Sequence, residues 1–159
     1  MSLDKLLSGG DLRSVGASNA AVVKIRDQRD FDGLFTCLFY DDRIVVMRAA
    51  DAIEKITKQH PGYLTKYKEI LLSLCSTAKN KELKWHLALL LPRLNLNEKE
   101  TSTALKILMT WLSDRKESRI VRVNSLQSIY EMVCTKKKLV KRLNEIDALN
   151  GNYSLLHLY

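Results

Sequence analysis

The sequence predicts an all-α protein, an α-α superhelix of about three full helix pairs with a capping element at each end. Three observations predict it. The 159 residues contain only six glycines and two prolines, too little turn chemistry for a β-rich fold, which needs punctuation every 8–12 residues or so. Apolar residues make up 46% of the chain, enough for a core of about one domain. Above all, three segments repeat without gaps at an offset of 38 residues, namely 45–56, 83–94 and 121–132, and a fixed period of this size marks stacked helical units.

Within those segments the matching positions are Val45, Leu83, Val121; Ala49, Leu87, Ser125; Ala50, Ala88, Leu126; Ile53, Leu91, Ile129; and Ile56, Leu94, Met132. The spacing i, i+4, i+5, i+8, i+11 is the stripe of an amphipathic helix with a broad buried face. These are the second helices of each pair. Their predecessors repeat as well: Ile70, Leu71 and Leu74 match Leu108, Met109 and Leu112 at the same offset, with Phe31, Leu34, Phe35 and Leu38 as a slightly displaced counterpart.

Local signals place the ends of the helices. Asp42, Asn80 and Ser118 stand where they would cap the second helices, and Asn97 followed by Glu100 reads as a capping box opening a first helix. His60-Pro61-Gly62 is the clearest break between units, since proline ends a helix and glycine permits the turn. Pro92 removes a backbone donor near the end of the middle second helix, so that helix kinks or stops early. The expected units are about 30–60, 61–96 and 97–135. A shorter cap occupies 3–28, and Leu139, Val140, Leu143, Ile146 and Leu149 give a basic capping helix over 136–149, before a tail at 150–159.

The pattern Val-Arg-x-x-Ala-Ala-x-Ala-Leu-x-x-Leu after an Asp-rich turn marks HEAT repeats. Val121-Arg122-x-x-Ser125-Leu126-x-Ser128-Ile129-x-x-Met132 resembles it, as does Asp41-Asp42 followed by Val45 and by 49–56. Leu83-Lys84 replaces the Val-Arg pair in the middle unit and Val46 stands where the first arginine would be, so the arginine ladder is incomplete. The resemblance covers roughly residues 11–135, and the chain is similar to small prokaryotic HEAT-repeat (armadillo-like) proteins. Tetratricopeptide and ankyrin units, with periods of about 34 and 33 residues, fit the 38-residue period less well.

Such a solenoid implies a binding scaffold, because stacked pairs present extended concave surfaces. With the apolar stripe turned inward, the less buried side of the second helices carries Arg48, Asp51, Lys55, His86, Leu89, Arg93, Asn124, Gln127 and Glu131. In stacked HEAT repeats the second helices usually line the groove, so this set is the expected docking surface for a protein or peptide. Trp85 precedes His86, and its repeat equivalents Met47 and Val123 are also apolar. That recurrence favours a half-buried contact between units; an exposed Trp85 would be a binding hot spot. Trp111, among Leu108, Met109 and Leu112, is expected in the core.

Charge is unevenly placed. Between Arg115 and Arg142 nine basic residues (Arg115, Lys116, Arg119, Arg122, Lys136, Lys137, Lys138, Lys141, Arg142) face two acids, Glu117 and Glu131, so most of the net +8 belongs to this stretch. A local basic field attracts phosphates or acidic surfaces. Nucleic-acid binding through this patch is therefore the alternative function. HEAT-like DNA glycosylases of the alkylation-repair type supply a distant analogy, with only Asp51 and Trp85 to stand in for their acid and aromatics. An accessory role to a bilin lyase has no residue in its favour.

Catalysis is not expected, for no Ser or Cys stands out with a His and an acid. No metal is expected, because His60, His86 and His157 lie far apart and no Cys-x-x-Cys occurs. No cofactor is expected either, since the glycines form no phosphate-binding loop. Cys37 and Cys75, one repeat apart, read as buried core positions, while Cys134 closes a helix. With an odd number of cysteines and no leader-like opening segment, a cytoplasmic setting is expected. The longest stretch free of Asp, Glu, Lys and Arg is 148–159, twelve residues, which is short of the ~18 a membrane span needs. The expected state is a monomer or a weak oligomer.

Overall fold

The computed structural model describes residues 2–10 and 16–135, and among them every regular element is helical. In order these are α1 (Leu3–Leu7), α2 (Gly16–Lys24), α3 (Gln28–Thr36), α4 (Arg43–Thr57), α5 (Lys68–Thr77), α6 (Lys81–Leu90), α7 (Glu98–Ser113) and α8 (Arg119–Thr135). Turns of 3-10 helix extend α3 (Cys37–Phe39), precede α5 (Pro61–Tyr67) and follow α6 (Leu91–Arg93).

The helices stack in pairs, α1 on α2, α3 on α4, α5 on α6 and α7 on α8. Successive second helices also pack side by side, α2 on α4, α4 on α6 and α6 on α8, and α5 packs on α7 in the other layer. The fold is thus a two-layer α-solenoid. Its core lies between the layers, because the repeated stripe points there: Val45, Leu83 and Val121 are buried, as are Ala49 and Leu87, Ala50 and Ala88, the triple Ile53, Leu91, Ile129 and the triple Ile56, Leu94, Met132. Ser125, at a stripe position, is fully buried too, whereas Leu126 is only half-buried. Trp111 lies in the core as expected.

The caps mostly follow the side-chain chemistry. The Asp42 carboxylate accepts from the Ile44 amide at 2.8 Å, and Asp27 serves α3 by accepting from the Asp30 amide at 2.8 Å. At α7 the Glu100 amide donates to Asn97 Oδ1 at 2.9 Å, while the Asn97 amide donates to the Glu100 carboxylate at 2.7 Å, a complete capping box. Ser118 Oγ accepts from the Val121 amide at 3.4 Å, the long end of the range. Asn80 departs from expectation. It occupies the cap position of α6 but its side chain makes no capping hydrogen bond. Pro92 acts as its chemistry requires, since α6 ends at Leu90 after ten residues and the chain tightens into a 3-10 turn, against fifteen residues in α4 and seventeen in α8.

Ion pairs join successive units. Arg43 reaches Glu82 at 2.7 Å, Lys84 reaches Glu117, Lys68 reaches Glu100 at 2.8 Å and Arg93 reaches Glu54 at 2.9 Å. In the outer layer Lys66 reaches Asp32 at 2.5 Å. Asp32 also accepts from the Tyr67 hydroxyl at 2.6 Å and from Gln28 at 2.8 Å, and these three hydrogen bonds pull its carboxyl down to about 2. Tyr67 in turn stacks on Phe35 with ring centroids 3.7 Å apart. Each exposed pair contributes only about 0–1 kcal/mol, so the apolar interface carries the stacking and the charges set its register.

Candidate partner-binding face

The second helices form one face, and each residue expected on it can now be placed. Arg48 departs furthest from expectation, being only 2% exposed. Its guanidinium donates to the carbonyl oxygens of Leu7 at 2.7 Å, Gly9 at 2.6 Å and Ser8 at 3.4 Å. Leu7 ends α1, where the last carbonyls lack intrahelical partners, and Ser8 and Gly9 follow it, so Arg48 acts as a cap supplied from another helix. Gly9 and Gly10, with φ of 73° and 72°, take the left-handed conformation that turns this end of the chain toward α4.

Asp51 and Lys55 are half-buried and bonded to each other at 2.6 Å. Asp51 also accepts from the Ser18 hydroxyl, and Lys55 donates to Asn19 Oδ1 at 2.8 Å. The pair thereby ties α4 to α2. On the other side of α4, Arg93 donates to the Glu54 carboxylate at 2.9 Å, to the Glu54 carbonyl and to Thr57 Oγ1 at 2.8 Å. Burial pushes the Glu54 carboxyl upward, and hydrogen bonds from Arg93 and Lys58 more than reverse it, so the group stays below its usual range.

His86 is the second departure from the expected exposed set, because α6 stacks directly on α4 and leaves it 7% exposed. Its Nδ1 is buried without a hydrogen-bond partner among the described residues. Burial holds the imidazole down at about 4 against the opposing pull of Asp51 and Glu54. Spacing along the chain separated the histidines from one another and from these acids, yet stacking brings a ring nitrogen of His86 and carboxylate oxygens of Asp51 and Glu54 within 4.8 Å of one another. These three residues offer the donors a metal would use. Both carboxylates already carry cations, Lys55 on Asp51 and Arg93 with Lys58 on Glu54, so the cluster reads as a charge-balanced contact between two helices.

Trp85 is half-buried and packs against the core, and its carbonyl accepts from Asn124 Nδ2 at 3.4 Å. Leu89 is half-buried beside it. On α8 the character changes. Gln127 and Glu131 are exposed and bonded to each other at 2.9 Å, flanked by Val123 at 62% and Tyr130 at 57% exposure. Reasoning from sequence did not single out Tyr130 or the exposure of Val123, although the repeat carried the signal. Ile120, Val123, Gln127 and Tyr130 are the equivalents of Glu82, Trp85 and Leu89 on α6 with Pro92 in the turn after it, and of Ile44, Met47, Asp51 and Glu54 on α4. On α4 and α6 all of these are half-buried or buried, and the next second helix packs alongside. Among the described residues nothing plays that part for α8.

The basic patch divides in two. Arg115, Lys116 and Arg119 are exposed around the turn between α7 and α8. Arg122 is half-buried, and its Nε donates to the Leu112 carbonyl at 2.9 Å near the end of α7. Lys136, Lys137, Lys138, Lys141 and Arg142 lie outside the described residues, as do the expected capping helix and tail. Cys37 and Cys75 are buried free thiols, with Cys75 raised to about 12 by burial, and Cys134 is exposed. No helix among the described residues is long and apolar enough to cross a membrane.

A two-layer stack of helix pairs in 38-residue register, with one layer of second helices forming a continuous face, defines the class of α-solenoid repeat proteins. The family model for the HEAT repeat domain matches residues 10–153, and the chain belongs to that family. HEAT repeats generally serve as protein-interaction scaffolds and are typically non-enzymatic. Comparison with curated proteins and with solved structures returned no match.

Proposed function

We propose that the chain is a non-catalytic docking module that seats an amphipathic helix of a protein partner along α8 and the adjoining part of α6. One observation carries the reading: Ile120, Val123, Gln127 and Tyr130 occupy positions whose equivalents in the two preceding units are all half-buried or buried among stacked helices, and on α8 they are exposed. A partner helix laid there would extend the layer by one position and bury an apolar stripe, the helix-in-groove mode of recognition. Trp85 and Leu89, half-buried at the floor, border that seat. Arg48, Asp51, Lys55, His86 and Arg93 hold the scaffold in shape, since their polar groups are spent between helices or buried. Asn124, Gln127 and Glu131 remain as the polar contacts of the face. Three free thiols suit a reducing cytoplasm.

The test is site-specific photo-crosslinking in the cell of origin, with the reactive side chain at Gln127 and, as a control, at Val23 of α2, which is also exposed. A discrete adduct from position 127 that is absent from position 23, and lost on Val123→Arg with unchanged circular dichroism, supports the reading. Equal adducts from both positions, or persistence in Val123→Arg, defeats it.

A further inference from the structure

A second surface lies along one edge of the solenoid, where the first helix of each pair turns into the second. The edge is continuous. Arg43, opening α4, is paired with Glu82 at the start of α6, and Lys84 of α6 is paired with Glu117 in the turn before α8. Arg43, Lys81 and Arg119 are repeat equivalents at 38-residue spacing, each the first residue of its helix. A helix N-terminus is where the macrodipole disfavours positive charge. Cations recurring there break a local rule, and such breaks concentrate at functional sites.

The ion-pair register explains why the charge is open on one part of the edge. Arg43 finds its acid at Glu82, but the residue one repeat further, which Lys81 would meet by the same geometry, is Ile120. Lys81 therefore makes no ion pair among the described residues, and neither do its exposed neighbours Lys79, Arg115, Lys116 and Arg119. The acids in this stretch are occupied: Glu82 by Arg43, Glu117 by Lys84, and Asp114 by accepting the Lys116 amide at 2.9 Å. Asn80, whose side chain makes no capping bond, leaves the α6 terminus without the oxygen that Asp42 supplies at α4. At the other end of the edge, Asp41 and Asp42 reverse the sign.

We infer that this edge, from Lys79 and Lys81 to Arg115, Lys116 and Arg119, binds the phosphate backbone of a duplex nucleic acid. Packed helices lie about 8–10 Å apart, so cations on consecutive turns step along a duplex by about three base pairs at 3.4 Å each. The turns before α6 and α8 present no exposed aromatic side chain among the described residues. The exposed aromatics of the edge, Phe39 and Tyr40, stand in the turn before α4 beside Asp41 and Asp42, so within the basic stretch charge alone selects the partner. The contact is therefore independent of nucleotide sequence, and Asp41 and Asp42 bound it on one side. This surface adjoins the α8 face at Arg119 but works by charge where that face works by apolar burial, and either proposal can fail without the other.

Fluorescence anisotropy of the full chain with labelled 20-base-pair DNA and RNA duplexes tests it, with anionic phosphatidylserine vesicles as a third arm. Neutralising five phosphates predicts a log-log salt slope near −4.5, or about a 500-fold loss of affinity between 50 and 200 mM salt. The variant Lys79→Glu, Lys81→Glu, Arg115→Glu, Lys116→Glu, Arg119→Glu is expected to lose at least about 100-fold at 50 mM, with a shallower slope. It should fold, because all five positions are exposed and acids suit the helix starts at 81 and 119, and circular dichroism checks this. A second variant, Lys136→Glu, Lys137→Glu, Lys138→Glu, separates the edge from the basic stretch that follows Thr135 and is expected to keep most of the affinity. The inference is overturned if the wild type shows no saturable duplex binding at 50 mM salt, if the folded five-site variant binds like wild type, if only the 136–138 variant loses affinity, or if vesicles bind and duplexes do not.

Discussion

Lowering the pH from 8 to 5 should destabilise the protein mainly through His86. The imidazole is 7% exposed, its Nδ1 has no hydrogen-bond partner among the described residues, and burial holds it at about 4, against 6.5 for an ordinary histidine. The unfolded chain therefore takes up a proton near 6.5 that the folded chain refuses until about 4. Between those values the unfolded state binds more protons, so stability falls as pH falls and is level above about 7.5. Linkage with these two values gives a loss of roughly 2 kcal/mol at pH 5 and about 3 kcal/mol at pH 4. The carboxylates act lower: Asp32, held at about 2, and Glu54 and Glu82, both held below their usual range, give up stability only as they approach protonation. Urea unfolding followed by far-UV circular dichroism at pH 8, 7, 6 and 5 should show a falling midpoint for wild type. His86→Gln, which cannot titrate there, should be nearly flat over the same range. Parallel pH profiles for the two proteins would refute the buried, neutral His86 on which this reasoning stands.

Two further perturbations read out the scaffold. Asn97→Ala should cost about 1 kcal/mol by removing a capping box, whereas Asn80→Ala should cost no more than a few tenths because Asn80 makes no capping bond; paired urea titrations compare them directly. Arg48→Met keeps the apolar stem but strands the Leu7 and Gly9 carbonyls, so about 3 kcal/mol should be lost, with enhanced amide exchange in residues 3–10 ahead of the remainder. Uniform exchange along the chain would show that Arg48 does not hold α1.

The helix pairs were legible because amphipathicity is a local property. The stripe Val45, Ala49, Ala50, Ile53, Ile56 and its two copies announce which side of each second helix is buried whatever the neighbours are, and caps such as Asp42 and Asn97 act within a single turn. The candidate face was legible only in outline. Its membership follows from helical geometry, but the burial of a polar side chain at its border depends on what arrives from elsewhere in the chain. Arg48 looked like a surface cation until the end of α1, about forty residues away, presented it with carbonyls, and His86 looked exposed until α6 settled against α4. The metal-like proximity of Asp51, Glu54 and His86 has the same origin, since residues from two units meet only after stacking.

From the sequence by itself come the 38-residue period, the helical class, the early stop at Pro92 and the concentration of charge beyond Arg115, because each follows from local spacing and composition. Tertiary structure alone decided which cations are spent. Arg43 and Arg93 meet acids one unit away, while the position that would answer Lys81 one unit on is Ile120, and Lys81 makes no ion pair of that kind among the described residues. It also decided that Val123 and Tyr130 stand in solvent at positions whose equivalents are half-buried or buried among stacked helices. The physical reason is common to both: periodicity states what a helix offers, and only the packed neighbours determine what is taken.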